Sequence, residues 1–423
     1  MQSFFIILVF LSGYLAIVAE QKIRINKAAI ALITGTLAWT VFILFSSTKE
    51  TIVASIGNHM ADISGILFFL IGAMTIVELI DSHDGFDIIP AVIRTRNKRR
   101  LLWIISLITF FLSAILDNLT TTIVMVSITR KLIPDERDRW FFAGMIIIAA
   151  NAGGCWSPMG DVSTTMLWIG NQITAFNIIL KLILPSLVCL LVPLTLATFM
   201  IKPGIVGHVK KTNSNSNEVS RFEKTLVFFA GMFVLLFVPF FKTLTHLPPF
   251  IAMLLALGLM WCLTEIVHRN KQEKERGPLS VVHALRKIDS PTILFFLGIL
   301  LCISALQSSG ILINWAGYLV MHIPNQSLTL MLIGMLSSIV DNVPLVAAVQ
   351  GMFPLTLYPT DHFFWEFLAY ATGTGGSILI IGSAAGVAAM GMEQIPFFWF
   401  FKRITLLALS GFLSGALVYI LMF

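Results

Sequence analysis

Charge is scarce in this chain of 423 residues: only 12% are Asp, Glu, Lys or Arg, against about 25% in an ordinary soluble domain. With 57% hydrophobic residues and a mean hydropathy of +0.90, that scarcity excludes a soluble globular protein and indicates an integral membrane protein. Cysteine is also sparse. Cys155, Cys189, Cys262 and Cys302 lie in apolar runs without paired spacing, so no disulfide framework can be read from them. No His-Glu-x-x-His, Gly-x-Ser-x-Gly or Cys-rich metal motif occurs, which argues against an intramembrane enzyme. The net charge of +6 does not call for nucleic acid, because the basic residues sit in short loops between apolar runs, where orientation in the bilayer explains them.

What is present is a series of apolar runs. The first, Ser3–Ala19, has no basic residue before it and reads as a span rather than a signal peptide. At about 20 residues per crossing, spans are predicted near 3–19, 27–45, 61–80, 139–170, 176–201, 223–242, 247–268, 290–310, 363–390 and 395–422, with 139–170 and 363–390 interrupted. Two further segments, 101–132 and 325–353, carry Asp117-Asn118 and Asp341-Asn342 at their centres. Each apolar limb beside these pairs is about 14 residues, or about 21 Å as helix, too short for about 30 Å of hydrocarbon. They read as re-entrant hairpins with polar tips. Charge supports this. If each hairpin enters and leaves on one side, the clusters within 22–27, 94–100, 130–139, 202–224, 269–287 and 402–403 place 25 of 28 basic residues on one face, leaving Lys49 and Lys242 opposite and Lys181 inside a helix. Both termini then face away from the cytoplasm.

The chain repeats. Leu-Phe-Phe-Leu begins at both Leu67 and Leu294, SAILDN at Ser113 matches SSIVDN at Ser337, and NAGG at Asn151 matches GTGG at Gly373. Each half holds three spans, a hairpin, an interrupted span and a closing span, an odd number of crossings, so the halves have inverted topology. The expected fold is therefore all-α, with a first repeat at 1–201, a cytoplasmic connector at 202–222 and a second repeat at 223–423. Segments 84–97 and 311–323 read as interfacial helices, and 269–289 as a second solvated cytoplasmic loop.

A carboxylate at mid-bilayer costs a few kcal/mol or more and persists where it faces a polar cavity. Asp117 and Asp341 are such groups, and each Asp-Asn pair supplies hard oxygens suited to a small dehydrated cation. The alternative is that they only cap the outgoing helices. Glycines 153, 154 and 160 with Pro158 are expected to break the helix between Ile148 and Val162, near Asn151, Ser157, Asp161, Ser163 and Thr164. The second interrupted span offers Thr372, Thr374, Ser377 and Ser383 but no carboxylate. The expected cation and proton site is Asp117, Asn118, Asn151, Asp161, Thr164, Ser337, Asp341, Asn342, Thr374 and Ser377, with Ser113, Thr120, Thr121, Ser157, Ser163, Thr372 and Glu78 as further members. Glu366, Glu393 and the remaining acids fall near span ends, where solvation is the default; all eight histidines fall in loops or at span ends. No basic residue lies near either tip in sequence.

The motifs DNLTTT at 117–122, NAGG at 151–154 through WSPMGDVSTT at 156–165, and SSIVDNVPLV at 337–346 resemble the NhaD-type sodium/proton antiporters of the ion transporter superfamily. The resemblance covers most of the chain. It implies exchange of Na+ or Li+ for H+ across a bacterial inner membrane, with no prosthetic cofactor. It also implies a homodimer with a scaffold and a mobile transport domain moving in elevator fashion. Anion carriers of that superfamily place Ser-Asn-Thr at the tips; Asp in place of that Ser argues for a cation. A proton-coupled carrier of arsenite or a dicarboxylate is the alternative within the superfamily, and a channel fits less well than a carrier.

Overall fold

The computed structural model describes residues 2–46, 49–93, 95, 97–201, 204, 219–323 and 325–423. Most of the 202–222 connector, with Lys202, Lys210 and Lys211, lies outside the described residues, as do Arg94 and Arg96. The described residues are helical, with no β-strand among them. Seven helices among them are long and apolar enough to cross a bilayer: Lys27–Leu44, Lys49–Ser82, Ala175–Met200, Arg221–Thr245, Pro249–His268, Ser290–Ser308 and Thr405–Met422. Large apolar side chains face outward, Phe199 at 81% exposure and Phe233 at 69%, as a lipid-facing surface requires. This is a multi-pass membrane protein. Gln2–Val18 supplies a shorter apolar helix where the first span was expected.

Several boundaries differ from expectation. The span expected at 61–80 is the C-terminal part of a helix of 34 residues, Lys49–Ser82. Its polar first third contains no proline and is anchored by Ser55 and His59, each 3.0 Å from the Ser308 hydroxyl. His59 thus lies inside a helix, not in a loop. The last segment divides into Phe397–Arg403 and Thr405–Met422. In the first interrupted span the helix Glu136–Gly154 runs past Ile148 and resumes at Val162–Ile169, so Gly153 and Gly154 are helical rather than part of the break. Their lack of a side chain serves approach instead. A Cβ on Gly153 would collide with the Phe110 carbonyl, and one on Gly154 with the Gly160 carbonyl.

The hairpin segments each contain two helices, Lys98–Ser113 with Asn118–Leu132, and Gln326–Leu336 with Asn342–Met352. The second interrupted span is Phe363–Gly375 with Ala384–Glu393. Packing follows a two-fold pattern. Lys98–Ser113 packs on Glu136–Gly154 as Gln326–Leu336 packs on Phe363–Gly375. Lys27–Leu44 packs on Ser290–Ser308, and Lys49–Ser82 on Pro249–His268, while the two closing helices pack on each other. The result is one layer from the first three spans of each half and another from hairpins, interrupted spans and closing spans. Between the layers, Asn342–Met352 lies against Ser290–Ser308.

Polar ties mark the two ends of the bundle. Lys98 pairs with Asp138, Lys131 with Asp87 at 2.9 Å, Lys224 with Asp84 at 2.8 Å and Lys287 with Glu78 at 3.3 Å. At the other end Gln326 bonds Tyr358, Gln350 bonds Gln172, and Asp361 holds Thr174. Glu366 and Glu393 are not solvated, as their position near span ends led us to expect. Glu366 is fully buried against Lys181 at 3.1 Å and the Tyr419 hydroxyl at 2.7 Å. Glu393 accepts from Arg130 and Arg139. Burying a carboxylate is costly unless it is paired, and here each acid joins elements remote in sequence.

Candidate functional site

The centre of the polar core is Asp161. It is the N-cap of Val162–Ile169, and its Oδ1 accepts from the Ser163 amide at 2.8 Å and the Ser163 hydroxyl at 2.7 Å. Asn118, first residue after one hairpin tip, donates from Nδ2 to Asp161 Oδ2 at 2.8 Å. Asn342, its counterpart after the other tip, donates to Oδ1 at 2.9 Å and to Oδ2 at 2.8 Å. Both Asp-Asn motifs therefore converge on one carboxylate supplied by neither. Asn151 extends the network: its Oδ1 accepts from Asn118 at 3.0 Å, and its Nδ2 donates to the Ser377 and Ser383 hydroxyls at 2.9 and 3.0 Å. Both Asp161 oxygens and both polar atoms of the Asn151 side chain are thereby partnered, as a stable buried polar cluster requires.

The two tip aspartates differ. Asp117 caps the helix that follows, accepting from the Thr120 amide at 2.8 Å and the Thr120 hydroxyl at 2.7 Å, and its φ of 139° is a conformation that L residues rarely adopt. Asp341 occupies the equivalent N-cap position but makes no side-chain cap bond, and no side chain donates to it among the described residues. Asp117, Asp161 and Asp341 line one cavity of about 30 Å³, together with Asn118, Thr120 and Asn342. A void needs about 10–15 Å³ to hold one water, so this one suits an occupant the size of one or two waters. Among the described residues no Lys, Arg or His lines it.

The remaining predicted residues divide by what their hydroxyls do. Ser113 donates to Ala150 O at 2.6 Å and Ser337 to Thr372 O at 2.8 Å, equivalent bonds that fasten each hairpin to its interrupted span. Ser157 bonds the Ala114 carbonyl. Thr372 and Thr374 donate to carbonyls of their own helix, at 2.7 and 2.6 Å. The Thr121 and Thr164 hydroxyls are buried and have no partner among the described residues. Glu78 lies apart, in a cavity of about 240 Å³ with Asp81, Asp84, Asp87 and Asp289 that shares Met74, Leu119 and Thr120 with the central one.

Two features were missed in the sequence. A cavity of about 810 Å³ reaches Asp341 from the end of the molecule bearing Glu20 and Lys27, so a basic residue does face one tip. His83 and His268, expected at solvated span ends, stack at 5.0 Å between ring centroids and are buried. Burial pushes His83 down to about 4, so it stays neutral near neutral pH. Neither feature has a local signal, since Lys27 is 314 positions from Asp341 and the two histidines are joined only by helix packing.

The sequence profile of the citrate transporter family, CitMHS, matches residues 14–375. Sodium/proton antiporter 2 of Arabidopsis thaliana is 45% identical over 414 residues, covering 98% of each chain. Sodium/proton antiporter 1 of the same plant is 46% identical, covering 98% of this chain and 71% of its own length. The Na+/H+ antiporter NhaD of Vibrio parahaemolyticus is 30% identical over 388 residues, covering 84% of this chain and 90% of its own. With its Asp-Asn pairs meeting at a shared acid, the chain belongs to the citrate transporter family, CitMHS, and is of the NhaD type within it.

Proposed function

We propose that the protein is a secondary antiporter exchanging Na+ or Li+ for H+ by alternating access. The observation that carries this reading is the central cavity, which brings three carboxylates and two carboxamides around a volume fit for a small dehydrated ion and too small for a tricarboxylate. Cation and protons compete for the same acids, and competition alone couples their movements. Asp161 already accepts from Ser163, Asn118 and Asn342, so it holds the two hairpin tips in register. Asp341 and the partly satisfied Asp117 are the acids open to an incoming ion. Rotation of the Asn118 and Asn342 amides would present their oxygens as neutral ligands, with Asn151, Ser377 and Ser383 behind them. Thr164, Thr374 and Ser337 serve as neutral neighbours of this set.

Inverted repeats with hairpins entering from opposite faces are part of the proposal, supported by polar ties at opposite ends of the bundle and by the mirrored packing. So are the homodimer, the moving transport layer and extracytoplasmic termini. The membrane is read as the bacterial inner membrane, although the two plant relatives show that this sequence plan also serves in a eukaryote.

Lys27 in the larger cavity favours a second reading, an anion carrier, which the family's description also suggests. Dissipation of a pH gradient in everted vesicles separates the two. Na+ or Li+ should release protons while citrate, a dicarboxylate and arsenite do not; proton movement driven only by one of those anions would reject the cation reading.

A further inference from the structure

An ammonium and a carboxylate, each without a charged partner of its own among the described residues, face the same cavity. Lys27 opens the helix Lys27–Leu44, and its backbone amide donates to Glu20 Oε1 at 2.9 Å, which fixes the preceding turn. Its Nζ lies over the Phe295 ring, 4.6 Å from the centroid, and forms no ion pair among the described residues. Asp341 receives no side-chain donor, unlike Asp117 and Asp161. Among the described residues Lys27 is the one basic residue lining the cavity of about 810 Å³ that ends on Asp341; the other titratable groups there are Tyr14 and Glu20. Beyond Asp341, the smaller cavity adds Asp117 and Asp161.

We infer that Lys27 is a built-in counter-ion for Asp341 in the conformation open to the Lys27 end, an ammonium whose field an arriving Na+ or H+ must work against. This rests on the antiporter reading and deepens it. The ammonium stabilises the empty, ionised site, so that Na+ is released rather than held when the site faces this cavity. The apolar lining lowers the local dielectric, so the field carries further than it would in open water. Lys27 is thus a tuning residue that does not coordinate the ion.

The test compares wild type, Lys27→Gln and Lys27→Arg in proteoliposomes, measuring half-maximal Na+ and the pH at which protons begin to inhibit. Removing the charge should lower half-maximal Na+ by roughly threefold to twentyfold, the span expected for one charge several ångströms away at intermediate dielectric. It should also move the proton-inhibited edge to higher pH, because the site then binds every cation more tightly. Lys27→Arg should match wild type on both. Lys27→Gln with unchanged Na+ dependence and pH edge overturns the inference. If Lys27→Gln does not transport, thermal stabilisation of the purified protein by NaCl decides, with a lower Na+ midpoint expected and an unchanged one overturning it. A wild type that shows neither Na+-driven exchange nor Na+ stabilisation removes the antiporter reading and this inference together; a responsive wild type beside an unmoved Lys27→Gln removes this inference alone.

Discussion

Asp161 and Asp341 are both acids of the central cavity, yet their surroundings predict different consequences for the same substitution. Asp161→Asn places an NH2 among the Ser163, Asn118 and Asn342 donors, leaving at least one buried donor without an acceptor, at about 1–3 kcal/mol. Asp341→Asn disturbs no side-chain bond. We therefore expect both variants to lose Na+/H+ exchange, but only Asp161→Asn to unfold at lower temperature in detergent. Equal thermal stability of the two would mean that Asp161 is not the tie between the hairpins. At this scale the tips were legible in the sequence, because an Asp-Asn pair inside an apolar run has few explanations. The identity of the shared acid was not legible: its partners Asn118 and Asn342 lie 43 and 181 positions away, and nothing local distinguishes Asp161 from a helix cap.

At the scale of elements, glycine spacing reports where backbones touch. Gly153→Ala and Gly375→Ala would push a methyl into the carbonyls of Phe110 and Gly334 on the facing hairpin helices, and each should cost about 1–3 kcal/mol of thermal stability through overpacking. Gly258, in Pro249–His268 with open space around it, is the control; Gly258→Ala should be neutral or stabilising by up to about 1 kcal/mol. Loss of stability at Gly258 equal to that at Gly153 would show that contact with the hairpin helices does not set the cost at these sites. The hairpin assignment is checked separately by labelling. Single cysteines in place of Lys131 and Asn325 should react with a membrane-impermeant maleimide from opposite sides, and labelling from one side would end the inverted-repeat reading. Hydropathy located the seven long apolar helices, because lipid imposes a length. It misplaced the start of Lys49–Ser82, whose polar first turns are held by Ser308 rather than by lipid, and the glycine and proline content placed a break at Gly153-Gly154 where the two residues form a contact.

For the whole molecule, shared occupancy of one site predicts that half-maximal Na+ rises about tenfold for each pH unit below the apparent pKa of the site if one proton is displaced, and more steeply if two are. Measured from about pH 7 to 9.5, a half-maximal Na+ that stays constant while transport continues would show that protons and Na+ do not compete. Composition and periodicity determined that the chain is helical and embedded in a bilayer, and its sequence motifs placed an Asp-Asn pair in each of two apolar segments. These properties follow from solvent and chain geometry, which act on each segment alone. Which acid joins the tips, which serines fasten the hairpins, that Glu366 and Glu393 are buried ion-paired ties, and that Lys27 faces Asp341 were decided only by tertiary structure. Each depends on groups far apart in sequence being carried to one place by the packing of helices that are individually near-uniformly apolar, and so contain no local record of their neighbours.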